Sequence, residues 1–232
     1  MLGILGGMGP LATVDFMQKL IACTTVSSDQ EHIPMLVHNV PQIPDRSACI
    51  LKGAEDPFPA LYKGLRNLEA SGAQCVVMPC NTAHYWFDRL SDISRVPMIS
   101  IIDCVEHYVE QQGFRQVGLM ATSATVAAGM YRQRLACTGK TCIEPDSSHQ
   151  QQLMTAIYNI KAGQLESGHL GMNEVFNALI NKGADAVILG CTEIPVGLEI
   201  ILKKNPRRCI DATALLAQAC VDWYHHQQAL AA

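Results

Sequence analysis

Two stretches of this chain, 111 residues apart, carry nearly the same pattern, and that repeat limits the fold more than any other feature. "ASGAQCVVMPCNT" (70–82) aligns with "NKGADAVILGCTE" (181–193), setting Gly72 over Gly183, Ala73 over Ala184, Val76 over Val187 and Cys80 over Cys191. A second match runs from "GILG" (3–6) to "GLMA" (118–121). At that same offset of 115, "FMQKL" (16–20) faces "YRQRL" (131–135). Further on, "IIDCVEHYV" (101–109) weakly echoes "CIDATALLA" (209–217). A long-range self-match of this kind is the mark of a duplicated structural unit. Each half reads as a strand, a helix, further strand–helix units, and a strand that ends in cysteine.

The local patterns give the unit its class. "MLGIL", "PMLVHNV", "QCVVMP" and "PMISI" read as strands. Between them, "LATVDFMQKLIACTT" reads as a helix with Leu11, Val14, Leu20 and Ile21 among its apolar positions. "DPFPALYKGLRNLEASG" reads as a helix ending at Gly72, with Pro57 and Pro59 near its first turn. "QCVVMP" shows no period-two alternation, so both of its faces are covered, as in a parallel sheet. The expected fold is therefore α/β: two similar Rossmann- or flavodoxin-like lobes with parallel sheets, related by a pseudo-two-fold duplication, with a cleft between them. The first lobe is expected over 1–97, with the C-terminal helix 210–232 packed back on it, and the second over 98–209.

Composition narrows the function classes. At 49% hydrophobic and 16% charged residues, the chain can bury a large core. A net charge of −4 without a long basic run argues against a nucleic-acid or anionic-membrane partner. No apolar run approaches the roughly 18–20 residues that span a bilayer. "MLGILGGMGP" enters a strand at once in place of a signal-peptide pattern, so a cytoplasmic enzyme is expected. Ten cysteines in such a chain are expected to be reduced. There is no C-x-x-C pair, and Cys137 and Cys142 have no matching ligand pair, so no metal site is expected.

Cys80 and Cys191 then stand out. In open parallel sheets, ligands bind beyond the carboxyl ends of the strands, and both cysteines fall at such ends, each before a helix start. "CNTAH" and "CTEIP" put Asn81 and Thr192 where an N-cap belongs. Helix N-termini favour negative charge, so a lowered thiol pKa and a bound carboxylate are both expected there. A near-symmetric pair of weak acids facing one cleft suits the inversion of a carbon centre. One thiolate removes a proton from one face, and the other thiol delivers one to the opposite face. The carbanion so formed next to a carboxylate needs preorganised donors in a dry site.

"GILGGMGPLAT" (3–13), "MPCNTAHYW" (78–86) and "LGCTEIP" (189–195) resemble the cofactor-independent aspartate/glutamate racemases, along essentially the whole chain. Glutamate racemases of that family usually have Asp-Ser in the first glycine loop and His two residues after the second cysteine. Here the loop is "GGMGP" and the residue is Glu193, and both cysteines are kept, so the chain looks most like the aspartate racemase branch. The resemblance implies catalysis by Cys80 and Cys191 without cofactor on an acidic amino acid, and a homodimer by analogy. It implies Arg46 and Lys161 on the side-chain carboxylate. Asn81, Thr82 and Thr192 would then bind the α-carboxylate or amine. It further places Met8, Ala83, Thr122, Thr125 and Glu193 at the substrate; where the family often has glycine, this chain has Ala124.

Rival readings remain open on the residues alone. "GMGPLA" (7–12) fits the dinucleotide fingerprint G-x-G-x-x-A, but Pro10 lies inside it and His38 stands where the acidic residue belongs. Related reactions such as maleate isomerisation use one cysteine as nucleophile. A non-catalytic ligand-binding protein would share the cleft. His84, four residues after Cys80, could share a metal or proton with it, but with no further ligand evident it reads as a packing residue.

Overall fold

The computed structural model describes residues 1–231. The first half runs β1 (Leu2–Gly6), α1 (Pro10–Cys23), β2 (Met35–Asn39), α2 (Arg46–Lys52), α3 (Phe58–Ala70), β3 (Cys75–Val77), a 3₁₀ segment (Thr82–Trp86), α4 (Phe87–Ile93), β4 (Met98–Ile99) and α5 (Ile101–Gln111). The second half begins with β5 (Gln116–Ala121), α6 (Ser123–Ala127), α7 (Met130–Cys137), β6 (Thr141–Ile143), α8 (Ser147–Lys161) and α9 (Leu165–Asn181). It continues with β7 (Ala186–Gly190), α10 (Glu193–Gly197), α11 (Glu199–Lys204), β8 (Cys209–Asp211) and α12 (Ala212–Ala231). Each half forms a four-stranded parallel sheet, in the orders β2-β1-β3-β4 and β6-β5-β7-β8. Two parallel sheets of one topology, flanked by helices, are the duplicated α/β architecture expected.

The ladders fix the register of the repeat. Gly3 lies beside Val76 and Gly118 beside Val187, which reproduces both the 115 and the 111 offsets. The weak echo of 101–109 against 209–217 is out of register. Val76 pairs with Met98 and Val187 with Cys209, so the structure sets Met98 against Cys209. The echo had matched an Ile-Asp pair inside α5 with an Ile-Asp pair inside a strand. Two boundary assignments change for the same reason. Met98–Ile99, expected to open the second lobe, is hydrogen-bonded to β3 in the first sheet. Ile210–Asp211, expected in the C-terminal helix, belongs to β8 of the second sheet. Edge strands of two and three residues are too short to carry any periodicity. We place the lobe boundaries after Ile99 and after Asp211.

β1, β3 and β7 are buried along their whole length, which is why they lack alternation. Pro10 starts α1, where its missing N–H is no loss. The helix buries Ala12, Thr13, Phe16 and Leu20, whereas Leu11, Val14 and Ile21 lie on its half-exposed side. The central core is shared between the halves. Leu2, Ile4, Phe16, Leu20 and Val77 from one sheet layer join Val117, Leu119, Tyr131, Leu135 and Ile188 from the other. Phe16 and Tyr131, like Leu20 and Leu135, are repeat-related pairs and are fully buried. α12 packs on α1 and α5 and adds Leu216, Ala217 and Cys220 to this core. Each sheet has a further core on its outer side.

Candidate active site

The carboxyl ends of β3 and β7 open onto one small cavity between the halves. Its lining includes Cys80, Asn81 and Thr82 after β3, Cys191, Thr192 and Glu193 after β7, and Met8, Arg46, Thr122 and Lys161 from four other segments. The space left among them holds about one water molecule. Ten of the twelve residues singled out from sequence thus meet here. Ala83 does not: it is fully buried in the first sheet's outer core. Thr125 is also fully buried, one hydroxyl behind the lining. Asp45 and Ser47 line the cavity without having been singled out. They flank Arg46, and no pattern in the sequence distinguishes them from loop polar residues.

The first glycine loop is shaped by its backbone. Gly7 takes a left-handed φ of 95°, and a β-carbon there would collide with the main chain of Val40. Thr13 of α1 laces the loop down: its Oγ1 accepts from the Gly7 N–H at 2.9 Å and donates to the Gly9 carbonyl at 2.9 Å. This sets the Met8 carbonyl toward Arg46, whose Nη2 donates to it at 3.4 Å. Arg46 Nη1 donates to the carbonyls of Ile43 and Pro44, and Nε is buried without a partner. Arg46 opens α2, which its neighbour Asp45 caps through the Ala48 N–H at 2.7 Å. Among the described residues no carboxylate stands within ion-pair distance of this guanidinium, so it faces the cavity as an uncompensated cation.

Lys161, the last residue of α8, comes from the opposite side and lies 3.8 Å from Glu193 Oε1. Burial pulls its ammonium down, but the acidic groups of Glu193, Cys191 and Cys80 outweigh this and hold it above the usual lysine value. The Cys191 thiol donates to Glu193 Oε2 at 3.0 Å, and the Thr192 hydroxyl donates to the same oxygen at 3.3 Å. The expected lowering of the Cys191 pKa is overturned. Burial, then the Glu193 charge, push it well above the ordinary thiol value, with Lys161 opposing. A helix of five residues, α10, brings too little to offset this.

The N-cap expectation also changes. Neither Asn81 nor Thr192 uses its side chain to cap. Thr192 is turned to Glu193. Asn81 Oδ1 accepts from the Tyr131 hydroxyl, and its Nδ2 is buried with no partner. Three hydroxyls bridge the halves in a triangle: Thr82 Oγ1 lies 3.0 Å from Thr122 Oγ1 and 3.1 Å from Thr125 Oγ1, and those two are 3.0 Å apart. His84 holds the turn from behind. Its Nδ1 donates to the Cys80 carbonyl at 2.9 Å, and its Nε2 accepts from the Ile101 N–H at 3.0 Å. Burial depresses its pKa to about 4, so the ring is neutral, as that pair of bonds requires. It is a packing residue stacked on Phe87. Among the described residues no cluster of three His, Cys, Asp or Glu side chains could hold a metal ion, and no helix is long and apolar enough to cross a membrane.

Fold and cleft together define a two-lobed α/β protein whose inter-lobe site sets two thiols among two cations, a buried carboxylate and a group of hydroxyls. The comparisons give that class a family. The family model described as Asp/Glu/Hydantoin racemase matches residues 5–220, and the chain belongs to this family. The structure of the Picrophilus torridus aspartate racemase superposes with a TM-score of 0.87 at 33% identity, covering 95% of this chain and 92% of that one. The broad specificity amino-acid racemase RacX of Bacillus subtilis is 27% identical over 97% of this chain and 98% of its own length. Francisella tularensis glutamate racemase, solved with D-glutamate, shares the fold at a TM-score of 0.70 and 16% identity, over 98% of this chain and 81% of that one.

Proposed function

We propose that the protein is a cofactor-independent racemase that interconverts L- and D-aspartate by two-base proton transfer. The observation that carries this reading is the pair of repeat-related cysteines, Cys80 and Cys191, both buried and lining one small cavity from opposite halves. In one direction the Cys80 thiolate takes the α-proton and becomes a thiol. The resulting carbanion, stabilised as its enediolate, takes the Cys191 thiol proton on the other face and leaves Cys191 as a thiolate. The reverse direction exchanges the roles. The contact of the Cys191 thiol with Glu193 Oε2 at 3.0 Å supports taking Cys191 as the protonated partner in that direction.

The remaining groups suit a dicarboxylic amino acid. Arg46, with no carboxylate of its own, is available for the side-chain carboxylate, and Lys161 supports it from the other lobe. The Asn81 NH₂ group, which has no protein partner, and the Thr82 and Thr192 main chains suit the α-carboxylate, where charge develops. Glu193 is available to the substrate ammonium. The likeness to both an aspartate racemase and a broad-specificity racemase supports this reading and makes a wider amino-acid range the second one.

Proton NMR of L-aspartate, D-aspartate and glutamate in D₂O, with purified protein and nothing added, tests it. Loss of the α-proton signal from both aspartate enantiomers, faster than from glutamate, is expected. No exchange into either aspartate would refute the proposal.

A further inference from the structure

Tyr131 touches both cysteine-bearing turns. Its ring lies under Gly190, the residue before Cys191: a β-carbon on Gly190 would stand 3.1 Å from the ring and 3.0 Å from Leu119. Its hydroxyl crosses to the other lobe and donates to Asn81 Oδ1, next to Cys80. In the structure that bond sets Oδ1 of the Asn81 amide toward Tyr131. With Oδ1 engaged, the NH₂ group is the free end, and it is buried and without a partner although the residue lines the cavity. A buried donor without a protein partner is available to an acceptor in the cleft.

The repeat supplies an independent comparison. At the offset of 115 the counterpart of Tyr131 is Phe16, equally buried in the shared core and without a hydroxyl. At the offset of 111 the counterpart of Asn81 is Thr192, which holds itself through Glu193. The hydroxyl is thus present in the one lobe that faces a side-chain amide needing orientation, and absent from the other.

We infer that Tyr131 is a positioning residue that holds the Asn81 amide with its NH₂ toward the cleft, as a donor to the carboxylate of the bound ligand. The carboxylate ligand rests on the function proposed above; the orientation of the amide does not. Without the hydroxyl the amide can turn its oxygen to the cleft, where it repels a carboxylate.

The test is a double-mutant cycle of Tyr131→Phe and Asn81→Ala, read as kcat and KM for aspartate and, in parallel, as the Kd for succinate by calorimetry. Tyr131→Phe is expected to lower kcat/KM by about tenfold or more and to weaken succinate about as much, the size of one charged hydrogen bond. In the Asn81→Ala background it should cost less than about twofold. A merely structural tyrosine would cost the same in both backgrounds, and that result, or wild-type behaviour of Tyr131→Phe, overturns the inference. If the wild type binds succinate but does not turn over aspartate, the racemase reading fails while the binding cycle still decides the role of Tyr131. If the wild type binds no dicarboxylate at all, the inference falls as well.

Discussion

Through its carboxylate, Glu193 acts on Cys191 by charge and by hydrogen bonding, and both keep the thiol proton on, against a smaller opposing bond from the Glu193 main chain. Its carboxylate accepts the thiol hydrogen at 3.0 Å, and its charge adds to burial in holding the thiol well above its ordinary pKa. Under the proposed mechanism the working enzyme carries one thiolate and one thiol, and the raised Cys191 pKa keeps that thiol protonated as pH rises. Glu193→Gln removes the charge, lowers that pKa and should move the alkaline fall of activity to lower pH. L- and D-aspartate have equal free energy, so kcat/KM is the same for both at every pH and one kcat/KM profile per variant checks this; superimposable profiles for wild type and Glu193→Gln would sink it. Cys80→Ser and Cys191→Ser should each lose racemisation by roughly 10²–10⁴-fold, and near-normal turnover in either would remove that cysteine from the mechanism.

At the scale of elements, the 3₁₀ segment Thr82–Trp86 is tied to the start of α5 through one neutral ring. His84 bonds the Cys80 carbonyl and the Ile101 N–H, and its pKa falls to about 4 because of burial. The unfolded chain has an ordinary histidine near 6.5 and so binds the proton first. This contribution to stability is complete above about pH 6.5 and is lost as pH falls toward 4, by about 3 kcal/mol in all. Urea unfolding at pH 7, 5.5 and 4 should show that loss in wild type and a shallower one in His84→Gln; equal slopes would assign the acid lability to other groups. The sequence made much of this level legible. The offsets read from Val76/Val187 and Gly3/Gly118 are the ladder registers themselves, because fully buried strands tolerate little change. What stayed hidden was set by tertiary context. β4 is two residues long, the apolar Leu11, Val14 and Ile21 lie on the half-exposed side of α1, and Ala83 points into a core. Tyr131 was in view only as an unremarked partner of Phe16, since nothing local shows that its hydroxyl reaches across to Asn81.

For the whole molecule, the duplicated architecture could imply two independently folding halves, and the packing argues against it. The largest core draws on both sheets, with Phe16 and Leu20 of α1 packed in the same cluster as Tyr131 and Leu135 of α7. α12 follows the second sheet in the chain yet lies on α1 and α5. Opening one half would expose apolar surface of the other, so neither half is expected to unfold first. The two tryptophans report separate places. Trp86 is buried in the outer core of the first sheet, and Trp223 on α12 packs against the shared core. Single-tryptophan variants, Trp86→Phe and Trp223→Phe, allow urea unfolding to be followed at each place and compared with far-UV circular dichroism of the same protein. Within each variant the fluorescence and dichroism midpoints should coincide, and the unfolding slope should correspond to the surface of all 232 residues. A fluorescence midpoint displaced from the dichroism midpoint would mean that one half melts alone. The shared core would then be a docking surface between two domains, and a cleft whose hydroxyl triangle and Tyr131–Asn81 bond both cross the lobes would have to be assembled by docking after each lobe had folded.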